Sequence, residues 1–240
     1  MKFFLLGRDT FIIVAIMVII RSSLVNWYVI PTGSMLPTIK INDHVLVNKL
    51  SFGLMLPFAE EQILSWAEPS RGDIVLFKSV NENVTLVKRV VGLPGDTISF
   101  KQGTLVINGD TTQENLQEDR SILNDMGEKA ENKSLYLQNQ VGPVPHYILR
   151  LNQAGLTFHE SRSWKIPEGK IFVLGDNRDS SNDSRFWGYV DIKKVYGKAG
   201  IVLYSTLPRS ETDTILPSFR TDRFFSSLHL KNLDQKTITN

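Results

Sequence analysis

Two short stretches hold residue types that could do chemistry together. The first is Pro31–Leu36, PTGSML, which sets a small hydroxyl, Ser34, between Gly33 and Met35 just past an apolar N-terminal segment. The second is Val87–Asp96, VKRVVGLPGD, where Lys88 shares one face of an alternating strand with Leu86 and Val90. A serine hydroxyl becomes a useful nucleophile only when a base takes its proton. Lysine can be that base when burial lowers its pKa toward neutrality. Each residue also has a plain reading: Ser34 as a turn serine, Lys88 as a strand lysine reaching out to solvent. The two lie 54 residues apart, so only the fold can bring them together.

Other nucleophile chemistries fit less well. There is no cysteine, which removes thiol nucleophiles, thiolate metal sites and disulfides. Leu36 stands where a G-x-S-x-G elbow needs its second glycine. His44, His146, His159 and His229 sit in no recognisable triad setting.

A third stretch, Gly175–Gly188 (GDNRDSSNDSRFWG), packs Asp176, Asp179, Asp183, Arg178 and Arg185 closely behind an apolar run. Calcium is the obvious rival use for such a loop. Counted from Asp179, however, Ser184 and Val190 occupy the positions where a calcium loop needs glycine and glutamate. A network of satisfied ion pairs fits better, with Asp183 and Arg185 as scaffold and Ser181 as a supporting hydroxyl.

The elements that must position these groups read mostly as strands. Val45–Val47, Ile74–Phe77, Thr85–Val91, Thr97–Phe100, Leu105–Ile107, Ile171–Leu174 and Ile201–Tyr204 are short apolar or alternating runs. Asn108-Gly109 is a hairpin signal, and Pro94-Gly95 turns the chain before Thr97. The expected organisation has a catalytic β domain over residues 30–109 and 164–215. A polar inserted subdomain spans 110–163. A tail over 216–240 carries Phe224, Phe225 and Leu228 among Arg220 and Arg223, a pattern that fits a short basic amphipathic helix on lipid and equally a helix packed on the domain.

The N-terminus speaks to location. Phe11–Ile20 is ten apolar residues, about 15 Å of helix, or half a bilayer core. Apolar flanks extend a helix from Phe3 to Ile30, with Arg8 and Arg21 snorkelling and Trp27 and Tyr28 at an interface. No A-x-A-like site follows Ile20, which favours a retained anchor over a removed signal. Residues 1–29 are therefore read as a cytoplasmic tip and single membrane anchor, with the rest on the far side. The net charge of +2, from 27 basic and 25 acidic residues, gives no reason to expect nucleic acid.

Taken in order, these stretches resemble type I signal peptidases, membrane-bound serine proteases that remove signal peptides from exported proteins. PTGSMLPTI is similar to that family's nucleophile box, RGDIVLFK (Arg71–Lys78) to the next, VKRVVGLPGD to its lysine box, and GDNRDSSNDSRFWG to its C-terminal box. The resemblance implies a mainly β, antiparallel catalytic domain with a small inserted subdomain, an N-terminal transmembrane helix and an apolar face resting in the bilayer. The implied site is at the plasma membrane's outer side. Ser34 is then the nucleophile and Lys88 the general base. The Ser34 N–H and the Thr32 hydroxyl hold the oxyanion, with threonine where many members have serine. Ser181 orients Lys88 through a hydrogen bond, and Asp183 and Arg185 support it. Ile30, Pro31, Met35, Leu76, Leu86 and Val87 line pockets for small A-x-A side chains. The implied partners are signal peptides and the lipid bilayer, with no metal and no other cofactor.

Overall fold

The computed structural model describes residues 7–14, 24–56, 61–79, 84–126, 134–151, 162–207 and 218–228. The chain is mainly antiparallel β. In order come β1 (Val25–Val29), β2 (Asp43–Asn48), a short hairpin of β3 (Gly53–Leu54) and β4 (Leu64–Ser65), β5 (Ile74–Lys78) and β6 (Thr85–Gly92). Then follow β7 (Thr97–Lys101), β8 (Thr104–Ile107), β9 (Asp110–Thr111), β10 (Glu114–Leu116), β11 (Ser134–Asn139), β12 (His146–Leu151) and β13 (Ser163–Lys165). The chain continues through β14 (Lys170–Leu174), β15 (Val190–Asp191), β16 (Val195–Ser205) and β17 (Ser226–Ser227).

The main sheet runs β1-β2-β16-β5-β6-β14-β15, with β17 on β16. Its centre, β5, is IVLFK, four apolar residues and a closing lysine; the four are buried, as a strand covered on both faces requires. The two faces feed two clusters. One gathers Ile30, Met35, Leu76, Tyr196 and Val202, the other Phe52, Val75, Phe77, Val90 and Val173. A smaller sheet, β13-β7-β8-β9, packs through a third cluster centred on Ile98, Leu105 and Phe172. Leu36, Leu123, Tyr136 and Leu149 form a fourth cluster. The polar excursion contains its own three-stranded sheet, β10-β11-β12, whereas its first and last strands, β9 and β13, belong to the smaller sheet.

Two expectations need correction. A helix reaching Ile30 is not formed, because Val25–Val29 is a strand paired with β2 in the register Val25↔Asn48 to Val29↔His44. Its sequence, VNWYV, is β-branched and aromatic with alternating exposure, a strand pattern that tertiary pairing exploits. The main sheet thus starts five residues before the expected boundary at 30. Residues 7–14 are helical, and among the described residues no helix is long and apolar enough to cross a membrane; residues 15–23 lie outside the described set. The tail forms no amphipathic helix among its described residues either. Residues 218–228 make a strap with one 3-10 turn at Thr221–Arg223, and the arginines point inward. Arg223 Nε donates to Asp43 Oδ1 at 3.0 Å, and Arg223 Nη2 reaches both Asp43 Oδ2 and, at 3.0 Å, the Thr38 carbonyl. Arg220 pairs with Asp125 and donates to the Ile41 carbonyl at 3.0 Å. Ion pairing has overridden the helical spacing of the phenylalanines.

Candidate active site

Ser34 sits in a single 3-10 turn, Gly33–Met35, entered through an extended Thr32. The turn is fixed from two sides. Met35 is buried in the first core cluster, and Asn177 clamps the backbone. The Asn177 amide donates to the Ser34 carbonyl at 3.1 Å, and its Nδ2 donates to the Gly33 carbonyl at 3.0 Å. Gly175 passes so close that a Cβ there would meet the Ser34 carbonyl oxygen at 2.4 Å and Ser181 Oγ at 2.3 Å. Only glycine permits that approach.

Lys88 comes from β6 and is 3% exposed. Its Nζ donates to Ser34 Oγ at 2.7 Å. Among the described residues it forms no ion pair, although Asp176 and Asp183 lie near enough to favour its charge. Burial outweighs them and pulls its pKa down to about 8. Disfavouring the ammonium to that extent corresponds to about 3 kcal/mol relative to water. The result is a hydroxyl bonded to an amine that is partly neutral near physiological pH, an arrangement suited to proton abstraction. Neither histidine among the described residues touches Ser34: His44 stacks on Tyr204 with centroids 3.9 Å apart, and buried His146 lies beside Asp176.

The acidic loop is a network of ion pairs. Asp183 is fully buried and grips Arg185 through both oxygens, at 2.8 Å to Nε and 2.8 Å to Nη2. Asp183 also accepts the Gly175 amide at 3.0 Å, and Arg185 donates to the Arg178 carbonyl. The pair therefore fixes the same backbone that presses on the Ser34 turn. Ser181 is buried beside Gly175, but its Oγ has no hydrogen-bond partner. The expected bond between Ser181 and Lys88 is not made in this arrangement.

Thr32 is exposed at the mouth of the turn and makes no side-chain capping bond. Of the expected lining, Ile30, Met35 and Leu76 are buried in the first cluster, Val87 is half-buried against it, and Pro31 is exposed. Leu86 departs from this set: it packs into the second cluster with Phe77 and Val90, because successive strand residues face opposite ways.

Sequence reasoning missed a second buried pair. Arg89 and Asp176 are 2% and 1% exposed and meet through two bonds, Nε to Oδ1 at 2.8 Å and Nη2 to Oδ2 at 2.7 Å. Arg89 Nη1 also donates to the Gly72 carbonyl at 2.8 Å, and Thr38 Oγ1 donates to Asp176 Oδ2 at 2.5 Å. Arg89 follows Lys88 and Asp176 precedes Asn177, so this pair ties the base's strand to the clamp on the nucleophile. The visible signal was an arginine on a strand face otherwise apolar, which must find a carboxylate.

Comparison with known proteins identifies the family. The model of the family described as signal peptidase, peptidase S26, matches residues 5–204. A signal peptidase I of Pseudomonas aeruginosa is 36% identical over 212 residues, covering 83% of this chain and 72% of that protein. One from Aquifex aeolicus is 30% identical over 223 residues, covering 82% of each. A crystal structure of a signal peptidase I from Enterococcus faecalis shares 30% identity, covering 56% of this chain and 98% of that one with a TM-score of 0.33. The family match runs through the Ser34 turn, the Lys88 strand and the Asp183–Arg185 loop, and this chain belongs to the signal peptidase family, peptidase S26, as a serine peptidase.

Proposed function

We propose that this protein cleaves signal peptides from exported preproteins after small residues, at a membrane surface, with Ser34 as nucleophile and neutral Lys88 as general base. The observation that carries the reading is the 2.7 Å bond between a buried, unpaired lysine and the Ser34 hydroxyl. Lys88 takes the Ser34 proton as Oγ attacks the scissile carbonyl, then returns it to the departing amine; water repeats the sequence on the acyl-enzyme. The Ser34 N–H and the Thr32 hydroxyl receive the developing oxyanion. Ser181 takes the orienting role once Ser34 Oγ has left the amine. Thr32→Val keeps the shape and deletes the donor, so kcat should fall about 100-fold with KM little changed, measured by steady-state cleavage.

The substrate's place follows from two strand edges that lack a neighbouring strand among the described residues. Among the described residues β1 pairs only with β2. β14 joins β6 only at Arg89–Gly92, leaving the backbone of Thr85–Lys88 paired on one side alone, with β5. An extended peptide entering between these edges gains main-chain hydrogen bonds and presents alternate side chains to the first cluster. Membrane contact has support as well. Val25, Trp27 and Val29 on β1, Leu64 on β4 and Trp66 just past it are exposed, and Trp66 Nε1 donates to the Leu50 carbonyl at 3.0 Å in the turn that follows β2. An anchor over the apolar N-terminal run, with the catalytic domain on the trans side, completes the reading.

Incubation with a purified preprotein in detergent, with mass spectrometry of the product and rates from pH 6 to 10, tests it. One cut after a small residue is expected. The rate should climb with pH and level off above about 8, because only the neutral amine accepts the proton. Stability shifts the same way: between pH 8 and 10.5 the unfolded chain binds more protons at this lysine, so the folded state gains as pH rises through that window. A flat rate over the whole range would sink the lysine-base mechanism.

A further inference from the structure

The cleft proposed between these two strand edges has two levels. At the first, Ile30 shares a core cluster with Met35, the neighbour of Ser34, and Val87, the neighbour of Lys88, packs against that cluster. Two residues back along the chain from each lie Tyr28, in β1, and Thr85, in β6. Two residues of strand rise about 6.6 Å, the spacing between alternate side chains of an extended peptide. At the second level one side chain spans the gap. Tyr196, from β16, donates its hydroxyl to Thr85 Oγ1 at 2.5 Å, while its ring stands 6.3 Å, centroid to centroid, from that of Tyr28. Tyr196 is 8% exposed and belongs to the first core cluster, against which Tyr28 and Val87 are the half-buried neighbours. At the first level the floor is Leu76, a smaller and wholly buried side chain directly across from Val87.

We infer that Tyr196, held by its bond to Thr85, closes the far end of the cleft and sets the size limit for the substrate side chain two positions upstream of the residue at the cut. The inference rests on the mechanism proposed above, in which small alternate residues precede the scissile bond. An alanine there lies over the tyrosine ring. A leucine meets the ring edge and must displace either the Tyr196–Thr85 bond or the substrate backbone from the strand edges. Tyr196 is thus a specificity-determining residue for that upstream position and not for the residue at the cut. Its backbone lies at a register shift in the β16–β5 pairing, between Val195↔Phe77 and Gly197↔Leu76, which is where a strand can re-aim a side chain.

The test uses the full-length protein in detergent and two series of one preprotein, with alanine, valine or leucine either at the residue before the cut or two positions further upstream. The readout is the ratio of kcat/KM for leucine to that for alanine. In Tyr196→Ala the upstream ratio should rise about tenfold or more, while the ratio at the cut stays as in the unaltered protein. An unchanged upstream ratio, or an equal rise at both positions, overturns the inference. Should Tyr196→Ala fail to fold by circular dichroism, Thr85→Ala, an exposed site, decides: the upstream ratio must rise there, and no rise rejects the gate. If the unaltered protein cuts neither series, even with alanine, the underlying mechanism falls and the gate with it; cleavage with no shift in the variants rejects the gate alone.

Discussion

In a Lys88→Met variant, kcat for preprotein cleavage is expected to fall by about 10⁴- to 10⁶-fold, with KM nearly unchanged. Methionine keeps the length and apolar stem of lysine but carries no proton acceptor, so the strand register and core contacts survive while the base is lost. Ser34→Ala should cost as much, and the double variant no more than either alone, because the two groups act as a unit. Single-turnover assays with circular dichroism controls check this. A second signature separates loss of chemistry from loss of fold. Lys88 is buried at a cost to its charged form, so an apolar replacement should raise the melting temperature at pH 7 while abolishing activity. A Lys88→Met protein that still cleaved at near-normal rate would remove lysine as the base.

The second large effect is expected at Asp176→Asn. That change leaves Arg89 buried with a neutral partner, and breaking such a pair costs about 3–5 kcal/mol. This is a large share of a typical domain's stability of about 5–15 kcal/mol. The urea midpoint should drop sharply with an unchanged slope, and cleavage should drop too, because Asp176 lies next to the Asn177 clamp on Ser34 and Arg89 next to Lys88. Replacing both by leucine should recover stability relative to Asp176→Asn, since no charge is then stranded. A loss below about 1 kcal/mol for Asp176→Asn would mean that the pair does not fix the two halves of the site.

Much of the centre was legible in the residues. Ser34 and Lys88 each had a plain reading of their own, and what singled them out was the resemblance of four stretches, in order, to the boxes of the signal peptidases. Asp183 and Arg185 could be read as a pair because they are two residues apart, and a short loop leaves them little choice. What could not be read depended on distant pairing. Asp43 is the fully buried partner of Arg223, which lies 180 residues away, and nothing in the residues around either points to the other. The VNWYV segment extended an apolar run, and only the presence of β2 decides between helix and strand. Leu86 and Val87 looked equivalent as lining, but strand alternation sends them to different clusters. Asn177 is one asparagine among several until its loop is folded against Gly33 and Ser34.

The strap of residues 218–228 makes the two ends of the catalytic body unequal when shorter versions of the protein are made. Cutting before Val25 strips away only chain that precedes the first strand. Cutting back to Leu207, just past the stretch that matches the family, would instead strand the Asp43 carboxylate in the interior and release the Thr38 and Ile41 carbonyls, which flank the segment leading from the nucleophile into β2. A fragment for soluble expression therefore has to be trimmed from the front and left whole through Leu228.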